Sequence, residues 1–241
     1  MKRFHTLATA ILIAAGASMP AAAADFFSTA KPASMIDLGV HAGVTTSNRT
    51  MASGVFDLWN HNSWGTGITA GVNADIYFRD WISIQPGIFF ESRSGNYAYS
   101  NTHTTATGLQ QPYTQLGHAR SYNLSIPVLA SAHFNVTNNV RWNVELGPYF
   151  QIGLSNKFSG KAEFPSSDST VDPDLLMTPE TGYTTAKTKG FDFGIKFGTG
   201  LTILKHYNFS IHYEAGALNV WKDSALGGRN KAWTFTVGYL F

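Results

Sequence analysis

Residues 191–203 read Phe191-Asp192-Phe193-Gly194-Ile195-Lys196-Phe197-Gly198-Thr199-Gly200-Leu201-Thr202-Ile203. The odd positions are apolar apart from Thr199, and the even ones are small, polar or charged. Successive side chains of a β-strand point to opposite faces, so a period of two marks a strand with two different environments. A soluble sandwich is the competing reading, and it would put charges outside and fill its inside with Val, Ile and Leu. In 191–203 the apolar face runs on, while the opposite face is too poor in charge for a solvated surface. The stretch predicts lipid on one side and a narrow polar space on the other.

The same alternation recurs along the chain. Ile36 to Thr45, Ile68 to Arg79 and Ile82 to Glu91 show it in the first half. Tyr122 to Phe134, Val140 to Leu154, Tyr207 to Gly216 and Trp233 to Phe241 complete the set. These are about eight segments, each near the 9 to 11 residues that cross a bilayer obliquely. Composition agrees. Of the 241 residues 44% are hydrophobic and only 13% charged, with 23 Gly and no Cys. A soluble domain averages about 25% charged residues. High aromatic content with little charge excludes a disordered chain, and no basic stripe suggests nucleic acid. The lack of Cys excludes disulfide frameworks and thiolate chemistry.

Residues 1–24 have the layout of a secretory leader: Lys2 and Arg3, a short apolar core from Leu7 to Gly16, then Ala22-Ala23-Ala24. The core is too short for a membrane anchor. Lys2 and Arg3 account for the formal charge of +2, so the remainder is neutral. Residues 25–34 are assigned to a periplasmic N-terminal segment and 35–241 to a barrel domain. Short links (Arg79 to Trp81, Asn135 to Asn139, Leu204 to His206) alternate with long ones (Ser47 to Ser63, Arg93 to Ala119, Ser155 to Lys189, Leu218 to Lys231). That asymmetry is the one expected of a bacterial outer-membrane barrel with short periplasmic turns. Hydrocarbon cannot satisfy an open sheet edge, so the first strand must pair with the last. The expected fold is an all-β, eight-stranded antiparallel up-and-down transmembrane β-barrel, whose inward glycines keep a small lumen from being overfilled.

Aromatics fall at the strand ends. Phe78, Trp81, Phe134, Trp142, Tyr207, Phe209, Tyr239 and Phe241 form the expected belt at the short-turn interface, with Phe90, Tyr122, Phe150, Phe191 and Trp233 toward the other. The terminal strand ending at Phe241, aromatic or β-branched at alternate positions, has the form of a signal for the barrel-insertion machinery. Inside, Arg141, Glu145, Asp192, Lys196, His212 and Glu214 are expected to form a structural polar network. Within it Lys196 sits between Glu145 and Glu214, because buried charge must be paired. A gated path for protons or small solutes is the alternative use of the same residues.

The long links hold Trp59, Trp64, Tyr97, Tyr99, Tyr113 and Tyr183 among Asn, Ser, Thr and Gly, a composition suited to glycan or protein contacts. They also hold Asp57, His61, His103 and His118, which an outer-membrane lipid-modifying enzyme or protease would need beside a nucleophile. No cofactor or metal site is expected, since no two histidines have metal-ligand spacing.

The stretches Ile82 to Gly95 (ISIQPGIFFESRSG), Ser121 to Phe134 (SYNLSIPVLASAHF) and Val140 to Leu154 (VRWNVELGPYFQIGL) resemble the PorT-like outer-membrane barrels of the Bacteroidetes. In architecture the chain is similar to small OmpA-like and OmpX-like barrels from Met35 to Phe241. The likeness carries no catalytic set, does not extend to Ser155–Lys189, and shows no peptidoglycan-binding domain after Phe241. The expected protein is a monomeric, non-enzymatic barrel of a Gram-negative outer membrane, in contact with lipid and lipopolysaccharide. Its role would be structural or surface-interaction, with a small pore as the runner-up.

Overall fold

The computed structural model describes residues 26–49, 61–104, 108, 110–163, 189–219 and 228–241. They form β1 (Ile36–Arg49), β2 (His61–Arg79), β3 (Ile82–Thr104), β4 (Gln110–Thr137), β5 (Val140–Glu163), β6 (Phe191–Ile203), β7 (Tyr207–Gly216) and β8 (Asn230–Leu240). Each strand pairs antiparallel with its neighbour in sequence. β1 and β8 close the ring, with Val40 opposite Tyr239 and Gly43 opposite Thr236. This is the closed eight-stranded barrel that the alternation predicts.

Its faces are inverted relative to a soluble protein. Among the described residues the buried apolar or aromatic side chains are Tyr77, Leu129, Tyr149, Ala232 and Leu240, whereas the buried polar and charged ones are far more numerous. Leu38, Ile68, Val72, Ile88, Leu146, Ile195 and Val237 are exposed. Such a contiguous apolar outside is stable only against lipid or detergent. In 191–203 Phe191, Phe193, Ile195, Phe197 and Leu201 face out, and Asp192, Lys196 and Thr202 face in. Thr199 breaks the apolar run for a local reason. It accepts a hydrogen bond from Trp142 Nε1 at 2.6 Å and donates to the Asn143 carbonyl at 2.8 Å, so neither polar group meets lipid unpaired.

The short-turn belt is assembled from aromatic pairs. Phe134 lies 5.3 Å from Phe26 and 5.2 Å from Trp142, and Tyr239 lies 5.7 Å from Tyr207 and 5.1 Å from Phe241. Phe78 and Phe209 are exposed on the same side. Residues 26–35 lie along this rim. Phe27 meets Trp81 at 4.7 Å, and the carbonyls of Phe26, Ala30 and Met35 accept from the amides of Asn135, Asp80 and Tyr77. The leader read at 1–24 lies outside the described residues.

The long links are shorter than expected. β3 and β4 keep one register from Ile82 opposite Ala132 to Thr104 opposite Gln110, and β5 continues to Glu163. Arg93 to Ala119 is therefore mostly a hairpin, not a loop. Above the lipid both faces of a strand are wet, so the apolar alternation that marks a membrane strand disappears while the pairing persists.

At the short-turn end, His206 N donates to Ile203 O at 3.2 Å across Leu204 and Lys205, whose φ angles are 53° and 66°. Two left-handed central residues define the type I′ hairpin turn, which Asn-Gly fills without strain. The left-handed region costs an ordinary residue about 1 kcal/mol. Leu204→Asn with Lys205→Gly is expected to raise barrel stability by roughly 1–2 kcal/mol on that basis, read from the urea midpoint in detergent.

Candidate functional site

The lumen is built in layers, each set by register. In the middle layer Lys196 of β6 stands directly opposite Glu214 of β7, and its Nζ lies 2.9 Å from Glu214 Oε1. Glu214 Oε2 accepts from Arg93 Nη2. Arg93 also donates to Glu91 Oε2 through Nε at 2.9 Å and Nη2 at 2.6 Å. Two carboxylates and two cations thus neutralise one another across β3, β6 and β7, with Glu91 and Glu214 wholly buried. Lys196 Nζ also lies 5.4 Å from the Phe89 ring, a cation–π contact.

This differs from the expected network in two respects. Lys196 pairs with Glu214, while Glu145 is bonded to His212 Nε2. The geometry that makes this second pair is a glycine: Gly198 of β6 lies opposite both Glu145 of β5 and His212 of β7. A Cβ at Gly198 would strike His212 Cδ2 and the Ile211 carbonyl, so only glycine lets the imidazole cross β6 to the carboxylate. The second difference is Arg93, which the sequence reading puts in a link. The signal was present: 83, 85, 87, 89, 91 and 93 share one phase, so Glu91 and Arg93 continue the inward face of β3.

Arg141 and Asp192 stand apart from this layer. Arg141 lies toward the short turns, donating to Asp80 Oδ1 at 2.7 Å and to Asn135 Oδ1 at 3.2 Å. Asp192 lies toward the loop end, accepting from Asn230 Nδ2 at 2.7 Å and from the Tyr149 hydroxyl at 3.5 Å.

Below the middle layer a belt of hydrogen bonds runs through six consecutive strands. Ser83 Oγ donates to Asp75 Oδ1 and meets His133 Nε2, both at 2.8 Å. His133 Nδ1 meets Asn143 Oδ1 at 2.9 Å. Asn143 and Asn208 both donate to Thr202 Oγ1, at 3.0 and 3.2 Å. One inward residue from each of β2 to β7 takes part, which satisfies buried polar groups that a barrel cannot leave unpaired.

Four of the six aromatic residues expected in loops lie on strands. Trp64 is half-exposed on β2, opposite Gly95. Tyr97, Tyr99 and Tyr113 are on β3 and β4, and Trp59 and Tyr183 lie outside the described residues. His61 and His103 are on strands, His118 Nδ1 meets Asn96 Oδ1 at 2.7 Å, and Asp57 lies outside the described residues. No group of three His, Asp or Glu side chains fit to hold a metal ion occurs among the described residues.

The sequence profile of the outer membrane protein β-barrel domain family matches residues 23–220. The chain belongs to that family. It is an outer-membrane β-barrel, and the lipid-facing band described above is the part of this family member that the membrane requires. The match establishes the outer-membrane barrel domain as a whole, not the PorT-like branch. No curated protein matches the chain. Solved barrels that it is similar to include OprG of Pseudomonas aeruginosa, at 14% identity and a TM-score of 0.40, covering 89% of this chain and 98% of that one. Ail of Yersinia pestis, solved with the heparin analogue sucrose octasulfate, has 10% identity and a TM-score of 0.39, covering 86% and 100%. Neisserial surface protein A has 10% identity and a TM-score of 0.37, covering 88% and 100%. Scores this low carry no argument about role. The fold rests on the strand pairing and the family on the profile.

Proposed function

We propose that this protein is a closed, non-catalytic barrel that acts through its loop-end surface, as a structural or adhesive element contacting an extracellular glycan or protein. The observation that carries this reading is the middle layer. Glu91, Arg93, Lys196 and Glu214 bond to one another within the lumen, and each is at most 5% exposed. A path for ions would have to break these pairs. Meanwhile the β3–β4 hairpin and the upper part of β5 extend past the last lipid-facing pairs, giving an outward platform.

A non-enzymatic role is supported by the belt. Ser83, His133 and Asn143 follow the order of a nucleophile, base and orienting group. Yet Ser83 is fully buried and its hydroxyl is already held between Asp75 Oδ1 and His133 Nε2, which leaves no open approach to its Oγ for a substrate. The strand motifs shared with PorT-like barrels, contact with lipopolysaccharide, insertion through the strand ending at Phe241 and a monomeric state belong to the same proposal.

In planar bilayers the purified protein is expected to hold the current at baseline, and steady unitary steps would overturn the closed reading. Replacing 97–115 by a short turn is expected to abolish binding to glycan arrays and cultured cells while leaving the barrel folded. Retained binding would move the contact elsewhere. The lipid profile of an expressing strain should be unchanged; new lyso- or deacylated species would favour an enzyme.

A further inference from the structure

The lumen is not filled evenly. Under the middle layer lie two cavities. The inner one, about 40 Å³, is bounded by Lys196, Glu145, His212, Ser210 and Thr236, among others. The outer one, about 320 Å³, opens at the short-turn rim and is bounded by Asp37, Tyr77, Arg141, Thr202 and Lys205, with Pro32 to Ser34 of the rim segment as part of its wall. Two residues line both: Asp75 and Leu240. The hydrogen-bonded belt runs from β2 to β7; on β8 Gly238 stands opposite its last member, Asn208, and the next inward residue is Leu240, opposite Gly39 of β1. Leu240 is therefore an aliphatic neck in an otherwise polar floor.

We propose that the lower lumen is a two-chamber receptacle for small polar solutes, entered only from the short-turn side and closed above by the Glu91–Arg93–Glu214–Lys196 layer. This rests on the closed reading above and adds sidedness and a chamber to it. The outer chamber has the size of a small-molecule pocket. The inner one has room for about three or four waters at roughly 10–15 Å³ each. Its wall carries Thr234 Oγ1, a buried hydroxyl without a protein hydrogen bond, and the His212–Glu145 and Lys196 side chains. Its chemistry suits water and other solutes of that size able both to donate and to accept. The outer chamber sets the carboxylates of Asp37 and Asp75 against Arg141 and Lys205, so it suits larger polar molecules.

The chain contains no Cys, so single-cysteine variants report access without background. Thr202→Cys in the outer chamber and Ser210→Cys in the inner one are treated with methyl methanethiosulfonate in detergent, each variant first checked for folding by its heat-modified mobility. Thr202→Cys is expected to react faster than Ser210→Cys by about tenfold, because the reagent meets position 202 in the outer chamber and reaches position 210 only through the neck. Leu240→Ala, added to Ser210→Cys, is expected to bring the two rates together, while Arg93→Met leaves the Ser210→Cys rate unchanged. Should Leu240→Ala fail to fold, Leu240→Val takes its place with a smaller acceleration. If Arg93→Met accelerates the reaction and opening the neck does not, solutes enter from above and the proposal is wrong. Equal rates at the two cysteines in the parent barrel would likewise overturn it. Neither result would show current in a bilayer, so the receptacle can fail while the closed reading stands.

Discussion

Glu214→Gln is expected to cost the barrel about 3–5 kcal/mol, the usual loss when one partner of a buried ion pair is removed. Glu214 is the hub of the middle layer: one carboxylate oxygen faces Lys196 Nζ at 2.9 Å and the other takes Arg93 Nη2, and its side chain is wholly buried. Arg93 keeps Glu91 after the change, but Lys196 is left charged in a lumen with no other carboxylate bonded to it. The measurement is the urea midpoint for loss of heat-modified mobility, compared at constant detergent. Lys196→Met alone should be destabilising for the mirror-image reason, since Glu214 then depends on Arg93 alone. Combining the two changes removes one charge of each sign and leaves the Glu91–Arg93 pair, so the double variant should be more stable than the sum of the single losses by at least about 1 kcal/mol. Strict additivity would mean that Lys196 and Glu214 do not stabilise one another.

Gly198→Val is expected to cost about 1–3 kcal/mol from overpacking alone, and to separate His212 from Glu145 as well. The added Cβ would collide with the His212 ring and with the Ile211 carbonyl, and the carbonyl is ladder backbone that cannot rotate away. The result to look for is a lower urea midpoint together with a shifted His212 imidazole resonance. Gly190→Ala is the control, because a Cβ there meets nothing within 4 Å, and it should leave the midpoint unchanged. If the two substitutions behave alike, the glycine does not act by making room.

Much of this architecture can be read from the chain. Membrane strands need two unlike faces, and that requirement writes itself into 36–45, 191–203 and 207–216 as a period of two. Even the break at Thr199 is local, explained by Trp142 one strand away. The sequence is silent where the physical demand changes. Residues 96–104 and 110–120 pair as regular strands, yet their sequence carries no alternation of lipid-facing and lumen-facing residues. Pairing partners inside the lumen are also hidden, because they depend on register between strands. Glu145, Lys196, His212 and Glu214 fall at similar heights on three strands. Yet only the glycine at 198, set between Glu145 and His212, decides which cation each carboxylate meets. Arg93 is legible in phase, but its neighbours Ser92 and Ser94 read as loop.

The glycines also bear on how the ring finds its correct alignment. Asn73 of β2 stands between Gly39 and Gly87, His41 of β1 between Gly71 and Gly238, and Tyr149 of β5 opposite Gly194. A slip of two residues would preserve every strand's greasy exterior and so escape detection by the bilayer. Inside, however, the same slip would set His41 and Asn73, diagonal neighbours joined by a 2.8 Å hydrogen bond in the native register, directly opposite one another and take from each a glycine it faces. Correct threading is thus checked from within, like the pins of a lock, and a sheet that closes one notch off finds its bore jammed.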